Sequence, residues 1–105
     1  MLFRSVIMGN TITRNVASSA ALGAVALGGG IFVAGPLSGA DGLAHIEGNL
    51  IAENLAAAED GKGGGVRADG APGLIVARNM IIGNRASGAG GGLELYSVGT
   101  VESNL

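Results

Sequence analysis

An all-β solenoid of stacked parallel strands is the fold class this sequence predicts, and three features predict it. An Asn frame recurs along the chain, a Gly triplet follows each full frame, and each triplet opens a short strand of period two. The frame reads "NTITRN" at residues 10–15, "NLIAEN" at 49–54 and "NMIIGN" at 79–84, and a half copy, "VESN", closes on Asn104. These frames hold every Asn in the chain: Asn10, Asn15, Asn49, Asn54, Asn79, Asn84 and Asn104.

The first unit covers residues from about 5 to 36. Ile7 stands three residues before Asn10, Ile12 two after it, and Ala17 two beyond Asn15. After a variable stretch, Gly28, Gly29 and Gly30 lead into "IFVAG", whose inward members by alternation are Ile31 and Val33. The second unit, about 43–70, repeats each column with Ile46, Ile51, Ala56, the triplet at 63–65 and then "VRADG", with Val66 and Ala68 inward. The third, about 74–99, supplies Val76, Ile81, Ala86, the triplet at 90–92 and "LELYS", with Leu93 and Leu95 inward. A partial unit at 100–105 adds Val101 and Asn104. Equivalent Asn lie 39, 30 and 25 residues apart, a solenoid spacing whose variation falls between blocks, where loops tolerate insertion. Helix is a poor fit, because each Gly in a helix interior costs roughly 1 kcal/mol and the apolar columns lack its period.

Stacking explains the Asn. Parallel strands about 4.8 Å apart place equivalent side chains in contact, and a carboxamide both donates and accepts, so Asn can bond to Asn up the stack. Such a ladder satisfies buried polar groups at a turn. Asn also tolerates left-handed backbone, so the turn itself is expected to fall on the Asn.

Composition excludes several function classes. The 105 residues make one domain, 1–105, a single repeat segment. The net charge of −2 and the absence of a basic cluster leave no footprint for nucleic acid. With no Cys, thiol chemistry, disulfides and Cys-ligated zinc are ruled out, and His45 alone cannot make a multi-histidine metal site. No metal and no cofactor are expected. "GKGGG" at 61–65 and "GAGGG" at 88–92 fit neither nucleotide-binding glycine pattern, and "DGKGGG" lacks alternating calcium ligands. Residues 16–35 carry no charge and suggest an export or membrane signal, with "SGA" at 38–40 resembling a cleavage site. The Gly and Ser in that stretch, and its thin content of strongly apolar residues, favour a loop followed by a strand over membrane insertion.

The frame I-x-x-N-x-I-x-x-N followed by G-G-G-I resembles the right-handed parallel β-helix repeats of the pectate-lyase-like superfamily. It is also similar to the repeats of polymorphic outer-membrane proteins, through "GGGI", "GGGV", "GGGL", "ITRN", "IAEN" and "IIGN". The resemblance covers nearly the whole chain. It implies a right-handed parallel β-helix of about three coils at the cell surface or outside the cell, and the lack of an obvious cap, with "VESNL" stopping mid-coil, makes a piece of a longer solenoid the expectation.

The outward columns of the strands after the triplets are Phe32, Arg67, Glu94 and Ala34, Asp69, Tyr96. In the resembled enzymes such a face forms the substrate groove, which would make Arg67, Asp69, Glu94 and Tyr96 a glycan-binding face. Tyr96 would stack on a sugar ring, and the two acids would bind hydroxyls. The plainer reading is a solvated strand with a cross-strand Arg67–Glu94 pair worth under about 1 kcal/mol. His45 falls in an outward column and is expected to be a solvated histidine. No second carboxylate stands opposite any acid in a way that names a glycosidase pair. The expected function is a non-catalytic repeat segment of a secreted or cell-surface protein, acting as scaffold, adhesin or polysaccharide binder. The alternative is a fragment of a polysaccharide lyase or hydrolase. Expected partners are a polysaccharide and, through unpaired strand edges, either another copy end to end or further chain.

Overall fold

The computed structural model describes residues 3–18, 23–34, 42–70, 72–96 and 99–105. Among these residues all regular structure is β, and it follows the repeat. The first unit contributes β1 (Phe3–Met8), β2 (Thr11–Thr13), β3 (Val16–Ser18), β4 (Val25–Leu27) and β5 (Ile31–Ala34). The second contributes β6 (Gly42–Glu47), β7 (Leu50–Ala52), β8 (Leu55–Ala57), β9 (Asp60–Lys62) and β10 (Val66–Asp69). The third contributes β11 (Leu74–Ala77), β12 (Met80–Ile82), β13 (Arg85–Ala86) and β14 (Leu93–Tyr96), and β15 (Thr100–Glu102) belongs to the partial unit.

Each strand pairs in parallel with its equivalent in the neighbouring unit. The sheets have the orders β1-β6-β11-β15, β2-β7-β12, β3-β8-β13, β4-β9 and β5-β10-β14. The register is the one the Asn alignment predicts. Ile7 lies opposite Ile46, Ile46 opposite Val76 and Val76 opposite Val101. Ile51 sits between Ile12 and Ile81, Ala56 between Ala17 and Ala86, and Val66 between Ile31 and Leu93. A bridge from Lys62 to Ala89 stands where the β4-β9 sheet would take a third strand.

The inward columns form the core. Ile46, Ile51, Val66, Ala68, Leu74 and Val76 are buried, and Ile7, Ile12, Val33, Ile81, Leu93 and Leu95 pack against them while partly buried. Burial depends on having a strand on each side. Val76 is 0% exposed between β6 and β15, whereas Val101, on an edge, is 48% exposed. Full burial of one such side chain contributes about 1.5–3 kcal/mol, so the middle unit contributes most to stability.

Two Asn ladders run beside this core. Asn49 Nδ2 donates to Asn79 Oδ1 at 2.9 Å, and Asn79 Nδ2 donates to Asn104 Oδ1 at 3.0 Å. Asn15 Nδ2 donates to Asn54 Oδ1 at 3.0 Å, and Asn54 Nδ2 to Asn84 Oδ1 at 2.9 Å. The backbone N–H of each donor Asn reaches the same Oδ1. In Asn49, Asn54 and Asn79 the remaining Nδ2 hydrogen goes to a carbonyl of the preceding unit: Ile7, Ile12 and Ile46 respectively.

The turn is not on the Asn. The left-handed residue is the one immediately before it: Gly9, Arg14, Gly48, Glu53, Arg78, Gly83 and Ser103 all have φ between 53° and 66°. This corrects the expectation above. The preceding residue bends the chain, which frees the Asn to point its carboxamide inward and along the stack. The first Gly of each triplet, Gly28, Gly63 and Gly90, is also left-handed. The later two serve close approach: a Cβ on Gly64 would overlap the carbonyl oxygens of Arg85 and Gly91, and one on Gly65 would lie 3.1 Å from Asn84 Nδ2.

The described part of the apolar stretch at 16–35 forms β3, β4 and β5. Residues 19–22 and 35–41, which include the cleavage-like "SGA", lie outside the described residues. Among the described residues no helix is long and apolar enough to cross a membrane.

Candidate functional site

β10 and β14 place the four candidate residues side by side. Arg67 lies opposite Glu94, and Asp69 opposite Tyr96. On the other side, β5 sets Phe32 against Arg67 and Ala34 against Asp69. The alternation that buries Val66 and Ala68 turns this column outward.

The outward Arg67 is nevertheless covered. Its side chain is 8% exposed, against 14% for Glu94 and 56% for Asp69. Nη1 lies 2.8 Å from Glu94 Oε1, and Nη2 lies 3.3 Å from Asp69 Oδ2. The guanidinium carbon sits 4.6 Å from the centroid of the Tyr96 ring, within cation–π range. The 2.8 Å contact is close but not aligned as a hydrogen bond, and Arg67 Nε and Glu94 Oε2 are buried without a hydrogen-bond partner. The solvated-strand reading of this pair is therefore corrected: flanking side chains exclude water from the guanidinium, and the pair belongs to the partly buried class.

The cluster holds one cation and two carboxylates, and both carboxylates face the same guanidinium. Glu94 is mostly covered beside it, whereas Asp69 keeps more than half of its side chain in solvent. What remains open is the ring of Tyr96, 52% exposed, the ring of Phe32, 43% exposed, and the carboxylate of Asp69.

His45 is also corrected. It occupies the predicted column between Val6 and Ile75, but its side chain is only 14% exposed. Its Nδ1 lies 3.5 Å from Glu47 Oε2 and makes no hydrogen bond. Glu47 Oε1 in turn pairs with Arg78 Nη2. This His45–Glu47–Arg78 group went unrecognised in the sequence, although the Asn register sets Glu47 opposite Ala77, the residue before Arg78. His45 also borders a cavity of about 240 Å³ lined otherwise by apolar groups, among them Phe32, Val33 and Leu74. Among the described residues no three His, Cys, Asp or Glu side chains are grouped to hold a metal ion.

The seven ladder Asn are the other polar residues singled out by sequence. Asn49, Asn54 and Asn79 are buried with their carboxamides bonded, so their role is structural. The chain matches no known family model, no curated protein and no solved structure.

Proposed function

We propose that the chain is a non-catalytic scaffold segment, wound as a right-handed parallel β-helix of about three coils with the start of a fourth. Parallel pairing of every unit with the next supports the coil, as do the two Asn ladders. Handedness rests on the resemblance and on the strong right-handed preference of parallel crossovers. The resemblance also supports a place outside the cell or on its surface.

One observation carries the non-catalytic reading: the charges of the most polar outward cluster are spent on one another around a covered Arg67. A lyase or hydrolase groove needs acid and base groups facing the substrate, not a shared internal cation. A glycan-binding surface is the second reading, favoured by the exposed rings of Tyr96 and Phe32 beside the open Asp69 carboxylate.

Tyr96 is the only Tyr and there is no Trp, so intrinsic fluorescence reports on this face alone. The scaffold reading expects no new reducing ends or unsaturated sugar products on incubation with neutral and acidic polysaccharides, and an unchanged Tyr96 emission. A saturable change in emission without turnover would establish the binding surface instead. Turnover lost in Glu94→Gln would establish the enzyme.

A further inference from the structure

We infer that the edge of β15 that has no partner strand among the described residues takes the matching edge of β1 in another molecule, so that copies of this chain join head to tail. The inference rests on the strand pairing and is independent of the scaffold role. β1 and β15 are the two edges of the same sheet. Within the molecule, β6 seats on β11 by stacking Ile46 on Val76, and β11 seats on β15 by stacking Val76 on Val101. Ile7 of β1 belongs to that column. A second molecule placing Ile7 on Val101 repeats a contact the fold already makes three times, and it covers a Val that is 48% exposed.

The ladder supplies a direction. Along it, each Asn gives its backbone N–H and one Nδ2 hydrogen to the Oδ1 of the following Asn. At the β15 end, Asn104 Nδ2 donates to Val76 O, and among the described residues its backbone N–H and second Nδ2 hydrogen reach no acceptor. At the β1 end, Asn10 Oδ1 receives no donor from the described residues, although Asn10 itself donates to Asn49. One end therefore offers the two donors that the other end's acceptor takes. Two β1 edges face to face would instead oppose oxygen to oxygen, so the contact is heterologous and open-ended. A net charge of −2 gives little repulsion against it. The remaining sheets have three strands or fewer, so the contact is confined to this sheet and is expected to need high protein concentration.

Sedimentation velocity on the full chain tests this. The unmodified chain is expected to sediment faster as its concentration rises. Val101→Lys, blocking one end, and Ile7→Lys, blocking the other, should each remain monomeric with an unchanged far-UV spectrum. An equimolar mixture of the two should recover a dimer and nothing larger, since each variant keeps one good end. Should Ile7→Lys fail to fold, Asn10→Leu removes the acceptor at the same end and carries the same test, with association lost and the strand signal retained. A chain that stays monomeric at its solubility limit overturns the inference. So does a singly blocked variant that associates as well as the unmodified chain, or a mixture that stays monomeric.

Discussion

Asn54 Nδ2 donates to Asn84 Oδ1 across 2.9 Å, and its other hydrogen goes to the Ile12 carbonyl at 2.8 Å. Its Oδ1 accepts both the backbone N–H and the Nδ2 of Asn15. Two donors and two acceptor positions are all used at a residue that is 0% exposed. Asn54→Leu leaves several of these partners unpaired in the interior, and a loss of about 3 kcal/mol is expected. Asn15→Leu, at the exposed end of the same ladder, should lose only about 1 kcal/mol. Urea midpoints of the two variants measure the difference, and equal losses would show that the ladder adds nothing in the interior.

Two glycines separate backbone strain from steric overlap. Gly48 has φ +66°, and a Cβ there would meet nothing within 4 Å, so Gly48→Ala meets strain alone, about 1–2 kcal/mol. Gly64→Ala meets the carbonyl oxygens of Arg85 and Gly91 with no flexible side chain to move, and should be the more damaging of the two. Ser103 is left-handed and exposed, so Ser103→Gly should raise stability by up to about 1 kcal/mol. Thermal melts rank the three, and a Gly64→Ala protein more stable than Gly48→Ala would reject the close-approach account.

Stacking is what made the architecture legible. Parallel strands set equivalent residues in contact, so the Ile7–Ile46–Val76–Val101 column and the Asn columns could be read as neighbours from their spacing alone. The position of the turn was legible only in part. Gly9, Gly48 and Gly83 each precede a ladder Asn, but Arg14, Glu53, Arg78 and Ser103 hold the same backbone and mask the pattern. The covering of Arg67 could not be read at all from alternation. Alternation states which way a side chain leaves the sheet, whereas its burial depends on how Tyr96 and Glu94 fold over it. His45 escaped for the same reason.

The apolar stretch makes a spectroscopic prediction. Among its described residues are β3, β4 and β5, each paired in parallel with the second unit. The far-UV spectrum should therefore be that of strands, with no gain of helical signal when detergent micelles are added. A helical spectrum in micelles would show that residues 16–35 leave these sheets for a membrane-like medium.

Arg67 and Glu94 allow the sharpest energetic test. Their side chains are 8% and 14% exposed, so removing one partner leaves the other charge short of both water and counter-charge. Glu94→Ala is expected to cost about 3 kcal/mol, the lower end for a broken buried pair, because Asp69 still faces the guanidinium at 3.3 Å. Arg67→Ala should cost a similar amount, since it also uncovers the Tyr96 ring. The double variant Arg67→Met/Glu94→Leu keeps the volume and removes both charges, and should return close to the stability of the unmodified chain. A cycle closed with the matching single variants Arg67→Met and Glu94→Leu should then show a coupling of about 2 kcal/mol or more, well beyond the few tenths found for independent sites. Such a coupling should also change little between low and high salt, because a covered pair is poorly screened. A near-zero coupling, or one that salt abolishes, would mean that the cluster is open to water, and the case for an internally spent set of charges would go with it.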